Sequence, residues 1–85
     1  MSVEFGSFNE LSRCLRSKAT SELSSNVIRA VAAKFANAKI TSDAEATERL
    51  KEAFRQVSYV RNTNNLSNAE QDIVAGSLFE CSKTQ

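Results

Sequence analysis

Over residues 27–38 the chain reads VIRAVAAKFANA, its most apolar run, and the spacing of that run is helical. At about 100° per residue, Leu23, Val27, Ile28, Val31, Ala32, Phe35 and Ala38 share one broad face. Glu22, Asn26, Arg29 and Asn37 lie on the other side. A face that wide touches more than one neighbour, so the pattern predicts the central helix of a small bundle, over about 21–38 and capped by Thr20 or Ser21.

Three further amphipathic segments surround it. The first, over about 7–19, opens on Ser7 with Glu10 three residues later, the spacing of a reciprocal capping box. Its inward stripe is Phe8, Leu11, Leu15 and Ala19, with Arg13 and Ser17 towards water. A second Ser/Glu pair, Ser42 and Glu45, starts a helix over about 43–61, whose buried face reads Ala46, Leu50, Ala53, Phe54, Val57 and Val60. Glu45–Arg49 and Glu48–Lys51 offset the like-charge pairs along its outer side. After an Asn-rich loop at 62–66, Ser67 and Glu70 open the last helix, over about 68–81, facing inward with Ile73, Val74, Ser77, Leu78 and Cys81. Residues 1–6 read as an irregular arm with Val3 and Phe5 free to pack, 39–41 as a turn in which Ile40 anchors to the core, and 82–85 as a fraying tail. The fold class is therefore all-α: one domain over 1–85, an antiparallel bundle of about four helices joined by short connections.

Composition narrows the function more by what is missing. With 85 residues, about two-thirds of the unfolded surface can be buried, so stability is modest, about 5 kcal/mol. There is no His, the commonest general base and zinc ligand, and the two glycines, Gly6 and Gly76, cannot form a phosphate-cradling loop. No catalytic, cofactor or metal site is expected. The formal net charge is +1, no apolar run approaches membrane-spanning length, and the first residues lack the pattern of a signal peptide. A cytoplasmic location is the default expectation.

Cys14 and Cys81 are too few for a metal site and lack a base to activate them. A disulfide joining the first and last helices requires those helices to be neighbours; the expectation is two reduced thiols packed as small apolar residues. Asp43, Glu45, Glu48 and Glu52 read as a solvated face complementing a helix dipole rather than an acid–base cluster.

Two patterns point to partners. Residues 13–39 hold Arg13, Arg16, Lys18, Arg29, Lys34 and Lys39 against the single Glu22, enough for a phosphate-binding patch if they share a side. A helix-turn-helix does not fit there, because the helix placed to read bases would open on Asp43, Glu45 and Glu48. Tyr59 and Phe79 fall outside the inward stripes of their helices, and Ala75 and Gly76 beside Phe79 are small enough for another helix to approach. The leading expectation is a small non-enzymatic protein that binds another protein through a helical surface, as regulator, inhibitor or assembly subunit. Tyr59, Phe79, Ala75 and Gly76 are the contact residues, and a homodimer through the last helix is expected. The alternative is a nucleic-acid-binding module using the basic residues of 13–39.

Overall fold

The computed structural model describes residues 2–19, 23–61 and 66–84, and helices hold 74% of the described residues. They are α1 (Phe8–Ala19), α2 (Ser25–Phe35), α3 (Asp43–Arg61) and α4 (Asn68–Cys81), the four-helix all-α fold that the periodicity predicts.

Serine side chains start each of them. Ser67 accepts from the Glu70 amide at 3.2 Å while the Glu70 carboxylate accepts from the Ser67 amide at 3.1 Å, a complete capping box. The other two expected boxes are half made. Ser7 accepts from the Glu10 amide, but the Glu10 carboxylate meets the Ser7 hydroxyl instead of its amide. Ser42 accepts from the Glu45 amide, and the Glu45 carboxylate turns to the Thr41 amide and hydroxyl. Ser67→Ala should lower the stability by about 1 kcal/mol, read as a lower urea midpoint with an unchanged slope.

Helix α2 is shorter than the periodicity predicts. It is capped by Ser24, whose side chain accepts from the Val27 amide, so Leu23 packs from the bend before the helix. Thr20 and Ser21, the expected caps, lie outside the described residues, as do Glu22, the 62–65 part of the expected loop and the Val60 side chain. At the other end Asn37 takes a left-handed conformation (φ 58°), which Asn tolerates better than most residues, and the chain leaves the helix three residues before Ala38. The Arg49 guanidinium of α3 donates to the Lys34 carbonyl at 3.1 Å, satisfying an acceptor of the last turn of α2.

The expected arm, turn and tail are not irregular. Each carries a two-residue strand: β1 (Val3–Glu4), β2 (Lys39–Ile40) and β3 (Lys83–Thr84), in the order β2-β1-β3, antiparallel throughout. Val3 pairs with Ile40 and Thr84, while Glu4 lies opposite Lys39 and Lys83, a favourable cross-strand charge arrangement. Pairing continues from the Phe5 amide to the Ala38 carbonyl and from the Asn37 amide to the Gly6 carbonyl, which draws Phe5 into the core. Its ring meets that of Phe35 edge-on, with centroids 5.2 Å apart.

The whole broad face of α2 is buried, and α2 packs on α1 and on α3. Helix α1 in turn packs on α4, and among the described residues α3 and α4 do not pack closely on each other. The order across the molecule is thus α4, α1, α2, α3. Cys14 of α1 and Cys81 of α4, expected as reduced thiols, are joined by a disulfide with Cα atoms 5.9 Å apart. The helices are neighbours, so the geometric condition for the bond is met, and Lys18–Glu80 at 3.7 Å closes the same seam.

Candidate functional site

Among the described residues two surfaces stand out, on opposite sides of α3. The first is an apolar groove between α3 and α4. Its walls are Ala46 and Leu50 from α3 and Ala75, Leu78 and Phe79 from α4; Val3, Phe5, Phe35 and Ile40 reach it from the sheet and core. It encloses about 260 Å³. It exists because α3 spends only part of its apolar face on α2. Ala53 and Val57 are buried, whereas Ala46, Leu50 and Phe54, expected in the buried face, are only partly covered.

On α4 the residues Asp72, Ala75, Gly76 and Phe79 follow the i, i+3, i+4, i+7 spacing of one stripe, and that stripe faces outward. Phe79 is 78% exposed, and a side chain at Gly76 would meet open space. Three of the four residues picked out as protein contacts are therefore together here. Tyr59 is not with them. It is 82% exposed, but nine residues beyond Leu50 it emerges on the other side of α3.

The second surface runs across the outer sides of α1, α2 and α3 as three adjoining shallow depressions. Asn9, Ser12, Arg13 and Arg16 line the first; Phe8 and Arg29 border it and the second. Lys34 and Gln56 are common to the second and the third, where Arg55, Glu52 and Tyr59 complete the lining. Of the six basic residues expected to act together, Arg13, Arg16, Arg29 and Lys34 do share this side. Lys18 is turned to Glu80, and Lys39 to Glu4 at 3.9 Å in the sheet, so these two leave the patch.

Phe8 corrects the sequence reading. Helical phase sets it on the inward stripe of α1, yet it is 40% exposed, because it occupies the first turn and overhangs the small residues Ala30 and Ala33 of α2. Arg55 and Gln56 were not singled out by the sequence. Their spacing with Glu52 and Tyr59 marks a stripe on α3, but only the docking of α3 on α2 sets that stripe beside Arg29 and Lys34. Ser12, also unremarked, is 7% exposed, and its hydroxyl has no hydrogen-bond partner among the described residues.

Among the described residues no three His, Cys, Asp or Glu side chains converge as a metal site, and no helix is long and apolar enough to cross a membrane. Comparison with protein-family models, with curated proteins and with solved structures returns no match to this chain.

Proposed function

We propose that the chain is a small non-enzymatic protein-binding subunit, a regulator, inhibitor or assembly component, and that it holds an amphipathic helix of another protein in the α3–α4 groove. The observation that carries this reading is Phe79, 78% exposed at the lip of an apolar groove. A phenyl ring left in water forgoes about 1.5–3 kcal/mol of burial, and aromatic side chains on such lips are the usual anchors of protein interfaces. The groove is lined from two helices that do not pack closely on each other, which suits a third helix presenting anchors at i, i+3 or i+4, and i+7. Ala75 and Gly76 allow its backbone to come close.

Charge selects the kind of helix. Asp43 lines the groove and Asp72 shares the outward stripe of α4, a helix that contains no Lys or Arg. A partner helix flanked by Lys or Arg is complementary to that rim. A second copy docked groove to groove brings carboxylates to carboxylates, which weighs against the homodimer expected from the sequence. The Cys14–Cys81 bond also weighs against the cytoplasmic expectation, because thiols in that compartment are kept reduced. An oxidising compartment suits this fold better.

A display library of amphipathic helical peptides, half with basic and half with acidic flanks, tests the reading. Basic-flanked peptides should be enriched, and Phe79→Ser should remove their binding while the helical circular dichroism is kept. Enrichment that ignores flank charge, or that survives Phe79→Ser, overturns it. Light scattering of the parent chain at micromolar concentration reports the competing homodimer directly.

A further inference from the structure

The chain's near-neutral charge hides a sharp partition of its cations. Of 11 basic residues, Lys18, Lys39, Arg49, Lys51 and Lys83 each have a carboxylate within 3.9 Å. The Arg61 side chain lies outside the described residues. The remaining five, Arg13, Arg16, Arg29, Lys34 and Arg55, form no ion pair among the described residues, and all five line the three adjoining depressions across α1, α2 and α3. Among the described residues that line them, Glu52 is the one carboxylate. The unpaired cations among the described residues thus gather on one side of the molecule.

Exposed aromatic rings interrupt the same row. Phe8 stands between the first two depressions, next to Arg29, and Tyr59 stands at the far end, next to Lys34 and Arg55. We propose that this face binds single-stranded nucleic acid, its cations on successive phosphates and its two rings stacked on bases. Three packed helices at interaxial steps of about 8–10 Å give a track long enough for several phosphates. Four of the five cations are Arg, whose planar fork matches phosphate oxygens two at a time. Stacking on Phe8 and Tyr59 asks for unpaired bases, since a duplex keeps its base faces inside. Ser12, whose buried hydroxyl has no hydrogen-bond partner among the described residues, also borders the depression of Arg13, Arg16 and Arg29.

Fluorescence anisotropy with a labelled mixed-sequence DNA single strand, on the full chain with its disulfide intact, tests the proposal. Five phosphate contacts at the single-strand salt slope predict a fall in affinity of about 100-fold between about 50 and 200 mM salt. Arg16→Glu with Arg29→Glu should abolish binding with the circular dichroism unchanged, because both side chains are exposed. Tyr59→Ala should weaken the single strand by about 10-fold and a duplex of equal length hardly at all. Absence of binding at low salt overturns the proposal, as does binding that the double charge reversal leaves intact. Adhesion to phosphatidylglycerol vesicles without binding to the oligonucleotide assigns the face to a membrane surface and overturns it equally.

Discussion

Phe35→Ala should leave little folded protein, whereas Phe54→Ala should leave a folded, weakened one. Helical phase alone ranks these two positions together, as central residues of inward stripes. The packing separates them. Phe35 is 2% exposed and holds Phe5 edge-on, so its loss removes core contacts on α2 and the ring that fastens β1 to the bundle. Truncating a ring in such a place costs about 3–5 kcal/mol, against a total stability of about 5 kcal/mol for a chain this short. Phe54 is only partly covered, and removing it costs about 1–2 kcal/mol, a fraction of full burial. Urea unfolding followed by circular dichroism checks both. A Phe35→Ala chain with the parental midpoint would mean that α2 is not the centre of the core. Equal loss from Phe54→Ala would mean that α3 sits deeper than its half-open face implies.

The difference between those two residues marks where sequence reading stops. Three helices are legible almost to the residue because a serine with a glutamate three places on stands just before each apolar-periodic segment, at Ser7, Ser42 and Ser67. Helix α2 has no such pair. Leu23 is in phase with its stripe, and Ser24 competes with Thr20 and Ser21 as cap, so phase extends the helix too far back. The three strands are illegible for a different reason: two residues have no period, and the partners of β1 come from the middle and the end of the chain.

The surfaces divide in the same way. Outward positions on a single helix, such as Phe79, Tyr59, Arg13 and Arg16, follow from phase. Which outward positions become neighbours depends on how helices dock, and that is tertiary information. It separates Tyr59 from Phe79, brings Arg55 to Lys34, and leaves Phe8 overhanging an end where phase makes it core.

A single covalent bond ties α1 to α4. Cys14 and Cys81 are 67 residues apart, and closing a loop of that length restricts the unfolded chain enough to stabilise the fold by about 4 kcal/mol. Reduction, or Cys14→Ser with Cys81→Ser, should therefore remove most of the stability and shift the urea midpoint strongly downward. The loss should also be uneven. Among the described residues α1 is the helix on which α4 packs closely, and β1 is the strand that pairs with β3. Hydrogen exchange on the reduced chain should expose α4 amides well before those of α2. Because α4 forms one wall of the apolar groove, peptide binding there should fail under reductant. The basic side, built from α1, α2 and α3, should keep its salt-dependent binding wherever the reduced chain remains folded. Alkylation of the unreduced protein should add no mass, and the double serine variant should be indifferent to reductant. A reduced chain that unfolds at the parental midpoint, with α4 as protected as before, would show that packing alone holds the last helix. The groove would then be as permanent as the core.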